Sequence, residues 1–242
     1  MRKIEFEIGK IYHIYNRGAN KANIFNDNSD MWRFLQGLFL FNDEKSSQGI
    51  LHEIERTNKG RINFNLLKEY IDKNEDERDP LIEIIADCLM PNHYHLLVKE
   101  IKENGVSQFM HKFGTGYSGY YNRKHSHPGS LFQGPFKAVE IKDDIQLMRI
   151  LVYINVINPG QLIKPTLKEG GIENTKELEM VLSFAENYSF STNPDYLGLR
   201  DSIIINKEIY KYLFPAVDQY REFTKDTLLS RKYQLINNLA LE

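Results

Sequence analysis

The sequence has a single cysteine, Cys88, in 242 residues. That excludes an internal disulfide framework and a cysteine-built zinc cage. No apolar run reaches the roughly 20 residues that a membrane-spanning helix needs. The opening MRKIEFEIGKIYHIYNRG lacks the apolar core of a signal peptide. These absences lead to the expectation of a cytoplasmic chain with no membrane partner. An excess of one charge is missing too: 31 Lys and Arg stand against 33 Asp and Glu, a formal net of −2. Attraction to an acidic partner cannot come from the chain as a whole and has to come from local clustering. Aromatic residues are what the chain has in plenty. Fourteen Tyr and fourteen Phe within a 41% hydrophobic composition argue for a packed core rather than disorder. The length suits one large domain, or one domain with appendages.

Patterning along the chain gives an order of elements. Ile11 to Asn16, IYHIYN, alternates and is β-prone, a first strand that breaks at Arg17-Gly18. Asp27 to Asp30 offers N-caps for a helix through Met31, Phe34, Leu35, Leu38 and Phe39. Residues 42–80 are polar and charged and read as an insertion, with weak helical patterning around Leu66 to Ile71. Leu81 to Leu89 is a second strand, Met90-Pro91-Asn92 a turn, and His93 to Lys99 a third strand closing a hairpin. Val106 to Arg123 reads as a helix, although Gly114, Gly116 and Gly119 each weaken it by about 1 kcal/mol. Phe136 to Lys142 is a fourth strand. Asp143-Asp144 then start a helix from Ile145 to Ile157, stopped by Pro159-Gly160. The order β-α-β-β-α-β followed by a further helix is the ferredoxin-like α+β pattern, an antiparallel sheet with helices on one face. Residues 1–160 form this domain, and 161–242 read as a helical C-terminal extension.

Three features carry chemistry. His93 and His95 stand at i and i+2, which on a strand puts both imidazoles on one face, roughly 6.5 Å apart along the chain. Two imidazoles at that separation can share a metal ion; they also fit two polar residues on an open sheet face. No local Cys or further His completes a tetrahedral zinc site, so an oxygen-completed Mg²⁺ or Mn²⁺ site suits the pair better. Tyr153 lies off the stripe of Leu147, Ile150, Leu151 and Ile154, on the side of Gln146 and Arg149. It reads either as an amphipathic tyrosine at the core margin or as a nucleophile beside a cation. Finally, the stretch from Met110 to Lys142 holds five Lys or Arg (Lys112, Arg123, Lys124, Lys137, Lys142) against one acid, Glu140, with Tyr117, Tyr120 and Tyr121 interleaved. Such interleaving suits a phosphate backbone with stacked bases; it equally suits a solvated helix with buried tyrosines.

Four segments in order, YHIYNRG with IFND, MPNHYHLLV, YSGYYNRKHSHPGSLFQGPFKA and YINVINP, resemble the HUH-type tyrosine transposases, in the branch of the REP-associated tyrosine transposases. The resemblance runs from Tyr12 to Pro159, with a weaker echo in ENYSFSTNPDYLG. It implies a ferredoxin-like catalytic domain in which His93 and His95 bind a divalent metal. It also implies that Tyr153 attacks a phosphate of single-stranded, often hairpin, DNA, keeps the 5′ end as a phosphotyrosine and releases a 3′ hydroxyl. Arg17, Lys112, Tyr117, Tyr120, Tyr121, Arg123, Lys124, Gln133 and Lys137 are the residues expected to meet that DNA. One departure stands out. The family's polar ligand four residues after the tyrosine is replaced by Ile157, and an amide comes one later, at Asn158. A one-residue shift turns a side chain by about 100° on a regular helix. Only a bulge or unwinding before Pro159 would bring Asn158 back as third ligand, and Asn155 is a poorer substitute. Two other functions fit the same residues: a nucleic-acid binder that has lost strand transfer, and a metal-dependent phosphodiesterase that uses water. Monomer and homodimer remain equally open.

Overall fold

The computed structural model describes residues 4–45, 67, 69 and 78–230. Most of the charged 42–80 insertion, including its helical patterning, lies outside the described residues. Four strands form the sheet: β1 (Ile11–Arg17), β2 (Ile82–Met90), β3 (His93–Glu100) and β4 (Lys137–Ile141). Their order is β2-β3-β1-β4, every neighbouring pair antiparallel. Helix α1 (Asn28–Leu40) follows β1, α2 (Gly105–His125) links β3 to β4, and α3 (Asp144–Val152) follows β4. This is the β-α-β-β-α-β succession expected of the α+β fold.

Local chemistry fixes the helix ends. The Asp27 carboxylate accepts from the Asp30 N–H at 3.0 Å and starts α1. The buried Glu100 carboxylate accepts from the N–H groups of Gly105 and Val106 at 3.0 and 2.9 Å, placing negative charge at the positive end of α2. Asp143 caps α3 through the Gln146 N–H at 2.8 Å. Of the α2 glycines, Gly116 has a packing reason: a Cβ there would lie 2.2 Å from the Phe41 ring, so only glycine lets α1's exit approach.

The strands alternate as the pleat requires. Tyr12, Ile14, Tyr94, Leu96 and Val98 face α1 and α2 and form one core with Phe34, Phe109 and Phe113. The two crossover helices thus share one face, as the pattern predicts. The other face is covered as well. There Ala86, Cys88, Leu97 and Ile141 pack against Leu147, Ile150, Leu151 and Ile154 of the α3 segment and against the C-terminal part of the chain. That part contributes α4 (Leu167–Gly170), α5 (Thr175–Asn187), α6 (Asn193–Tyr196), α7 (Glu208–Leu213) and α8 (Val217–Leu229). It also runs along the outer edge of β2. Leu89 N–H donates to Phe190 O at 2.9 Å, Thr192 N–H to Asp87 O at 3.0 Å, and Asn206 N–H to Ile84 O at 2.8 Å. An otherwise open sheet edge is closed in this way. The segment after residue 160 is therefore built into a core of the domain rather than appended to it.

Candidate active site and nucleic-acid groove

His93 and His95 point from β3 to the second face, as their spacing requires, with ring centres 5.1 Å apart and planes at 90°. Register brings β1 against them: Arg17 pairs with His93, Tyr15 with His95 and His13 with Leu97. His13, Tyr15 and Arg17 share this face, so the site contains a third histidine, His13. It is fully buried, and its Nε2 lies 2.8 Å from His95 Nδ1. His93 Nδ1 lies 2.7 Å from Asn92 Oδ1. Both histidines are thus held through Nδ1, with Nε2 of each shut off from solvent. Holding one ring nitrogen fixes the ring, the usual support of a metal-binding histidine.

Tyr153 lies across from them. Its ring centre is 5.5 Å from that of His95, edge to face, and 6.4 Å from that of His13. It is only 1% exposed. Off the apolar stripe on a helical wheel, it is nonetheless enclosed, because the histidine face of the sheet and the C-terminal part of the chain close over it. The Nζ of Lys168, on α4, sits 5.7 Å from the ring centre.

The helix changes its winding at this point. Tyr153–Ile157 is a π turn, and the Asn158 N–H donates to Tyr153 O, five residues back. Regular α-helix resumes over Asn158–Gly160. The extra residue supplies the bulge that the displaced amide calls for. Asn158 takes the position that the fourth residue after Tyr153 would hold in an unbroken α-helix. Its side chain is fully buried, and Oδ1 accepts from Gln161 Nε2 at 3.2 Å. Asn155 is used elsewhere: Oδ1 accepts from Thr192 Oγ1 at 2.6 Å and Nδ2 donates to the Tyr220 hydroxyl at 3.2 Å.

Among the described residues no group of three or more His, Cys, Asp or Glu is disposed to hold a metal. The residues that could hold a divalent cation are His93 and His95, whose ring centres lie 5.1 Å apart, and Asn158 is the amide carried at the end of the π turn. Nitrogen donors completed by oxygens from a substrate would suit Mg²⁺ or Mn²⁺.

Beside His93 opens a groove of about 520 Å³ lined by Tyr15, Asn16, Arg17, Lys21, Asn92, Gln133, Pro135 and Lys137, with no acidic side chain. Three cations in such a groove favour phosphate. Its wall is braced by Arg17 Nε donating to Gln133 Oε1 at 2.5 Å and by Asn16 Nδ2 donating to Gly134 O at 3.0 Å. Lys137 Nζ lies 5.7 Å from the Tyr15 ring centre.

The structure separates the sequence-predicted DNA residues into two sets. Arg17, Gln133 and Lys137 line the groove, and Arg123 is exposed on α2. The others are occupied within the fold. The Tyr117 and Tyr121 rings are buried, their hydroxyls donating to Ile24 O at 2.7 Å and Asn23 O at 3.1 Å. The Tyr120 hydroxyl donates to Asp30 Oδ1 at 3.0 Å. Lys112 Nζ donates to the carbonyls of Asp43 and Glu44 at 2.6 and 2.9 Å. Lys124 binds Asp27 and Asp30 at 2.9 and 2.8 Å. Burial pushes the Asp30 carboxyl up, but Lys124, the Asn26 N–H, His125 and Tyr120 outweigh it and hold it below the usual carboxylate range. In this conformation the Tyr117 and Tyr121 rings are buried against the loop before α1, and half-buried Tyr120 is tied to α1 through Asp30. Sequence reading missed His13, Tyr15, Lys21, Asn92 and Lys168. The first two carried a signal: they alternate with Tyr12 and Ile14 on a strand next to the H-x-H strand.

An antiparallel α+β sheet with paired histidines facing a tyrosine on the helix after the fourth strand is the arrangement that the transposase resemblance implies. Residues 51–156 match the family described as "Transposase IS200 like", and over that segment, which contains His93, His95 and Tyr153, the chain is similar to those transposases. A solved structure described as the "REP associates tyrosine transposase bound to a REP hairpin" aligns with a TM-score of 0.42 at 12% identity, covering 85% of this chain and 96% of that one. No curated protein matches the chain. Among the described residues no helix is long and apolar enough to cross a membrane.

Proposed function

We propose that this protein cleaves and rejoins single-stranded hairpin DNA through a phosphotyrosine at Tyr153, as in DNA transposition. The observation that carries the reading is the juxtaposition at the π turn. Tyr153 packs on His95, Asn158 is wound into the register of the missing polar residue, and a cation-lined groove opens beside His93. The likeness to IS200-like transposases over 51–156 supports the same reaction class.

The residues divide the work. Arg17, Lys21 and Lys137 bind the backbone and align a phosphate with the tyrosine. The Tyr153 oxygen bonds to phosphorus as the bond to the 3′ oxygen breaks, leaving the 5′ end on the protein and a 3′ hydroxyl on the released strand. Attack by a second 3′ hydroxyl reverses the exchange, so the phosphoester energy is conserved. His93, His95 and Asn158 would hold Mg²⁺ or Mn²⁺, which when bound polarises the scissile phosphate.

The test is incubation of the protein with labelled hairpin DNA and Mg²⁺ or Mn²⁺, followed by a denaturing gel and mass spectrometry of the linked peptide. A covalent adduct on Tyr153 is expected. Cleavage without adduct would assign the chemistry to water, and retention of intact DNA without cleavage would leave a binding protein.

A further inference from the structure

Of the buried groups near the site, His13 is the most constrained that the chemistry above leaves without a role. It is fully buried on β1, and its ring stacks on His95 with centres 5.0 Å apart and planes at 16°. The 2.8 Å contact between His13 Nε2 and His95 Nδ1 needs one proton between the two nitrogens. If His13 supplied it, neutral His95 would carry its own proton on Nε2 and could not ligate a cation there. If His95 supplies it, the Nε2 lone pair of His95 is available. His93 is fixed in the second sense, because Asn92 Oδ1 can only accept from His93 Nδ1.

We propose that His13 is a positioning residue: it accepts the Nδ1–H of His95 and thereby holds His95 Nε2 toward a cation shared with His93. The inference rests on the metal reading above and adds the group that sets one ligand's tautomer. Carboxylates and carbonyls are the usual partners of metal-bound histidines. Here both rings are buried, where an uncompensated carboxylate would be strongly disfavoured. A neutral imidazole gives the same acceptor without that penalty. Burial also keeps out water that could replace it.

The experiment titrates Mn²⁺ into the DNA-free protein, following the free-ion electron paramagnetic resonance signal, for the parent, His13→Leu, His13→Gln and His95→Ala. Nitrogen-15 imidazole spectra without metal report the His95 tautomer. His13→Leu should bind Mn²⁺ roughly 10–100-fold more weakly. His13→Gln, whose Oε1 can accept, should recover much of that loss. The parent should show His95 protonated on Nδ1. If His95→Ala binds Mn²⁺ like the parent, the metal reading itself falls. If His95→Ala loses the ion while His13→Leu keeps parental affinity, the metal site stands and the role of His13 is refuted. Should His13→Leu fail to fold by circular dichroism, the other measurements decide. A parental His95 protonated on Nε2, or a folded His13→Gln as weak as His95→Ala, overturns the proposal.

Discussion

Asn155 and Asn158 lie three residues apart on one helix, are both fully buried, and should fail in opposite ways when cut to alanine. Asn155 makes two side-chain hydrogen bonds into the C-terminal part of the chain, to Thr192 and Tyr220. Each is worth about 1 kcal/mol net. Both partners keep a second contact, Thr192 to Asp87 O and Tyr220 to Asn193, so neither hydroxyl is stranded. Adding a small cavity term, Asn155→Ala should destabilise by about 2–3 kcal/mol. At this chain length that lowers Tm by about 4–12 °C. Asn158 gives up one bond, to half-buried Gln161, and its Nδ2 has no partner. Its removal should cost about 1 kcal/mol, because the same small cavity term is offset by release of the buried, unpartnered Nδ2. Cleavage should follow the reverse order. Assayed well below both melting points with hairpin DNA and Mn²⁺, Asn155→Ala should keep most of its adduct formation, and Asn158→Ala should lose most of it. Equal melting points, or parental cleavage by Asn158→Ala, would refute the assignment of one amide to the fold and the other to the site.

Tyr153→Phe should bind hairpin DNA about as well as the parent and form no adduct on a denaturing gel, whereas Tyr120→Phe and Tyr121→Phe should still form it; a linked peptide from another tyrosine would displace Tyr153. Binding should weaken with salt through Arg17, Lys21 and Lys137 rather than through Lys112 or Lys124, each lost phosphate contact lowering the log–log salt slope by about 0.7. An unchanged slope in Arg17→Gln and Lys137→Gln, measured by fluorescence anisotropy, would move the DNA off the groove. Burial pushes the Asp87 carboxyl up to about 7, with Arg200 opposing and Asp195 adding to it. A raised carboxyl contributes stability below the ordinary carboxylate range that is lost as pH rises toward 7. Relative to the parent, Asp87→Asn should therefore gain melting temperature between pH 5 and pH 8; parallel curves would contradict the shift.

The four strands and the helices α1 to α3 were legible because each has a period and a stop. Alternation gave β1 and β3, Pro91-Asn92 gave the hairpin, and Asp143 and Pro159 bracketed the last helix. The histidine pair followed from the pleat alone. Three features were not legible, each for a physical reason. The site's third histidine depends on which strand lies beside β3, and pairing is a long-range property. The fate of the α2 tyrosines depends on the loop before α1, whose carbonyls at Asn23 and Ile24 take their hydroxyls. Coverage of the second face depends on residues after 160, whose short helical runs give no sign of what they pack against.

The π turn and the C-terminal part of the chain make sense together. In an unbroken α-helix Ile157 would stand near Tyr153 on the site side, and no amide would reach that position. Inserting one residue gives the position to Asn158 and leaves Asn155 facing Thr192 and Tyr220. A π turn is a strained winding that persists only where its surroundings fix it. Here the surroundings do so from two directions. The Asn155 amide is clamped by side chains of the C-terminal part. Gly160, just past the turn, admits α4 so closely that a Cβ would lie 2.6 Å from Leu167 and 3.0 Å from Val181. That same close approach sets Lys168 against the Tyr153 ring. The segment after residue 160 therefore braces the helix at the π turn that carries Tyr153 and Asn158, so cutting the chain at 160 would remove a support of the proposed site and not only a covering.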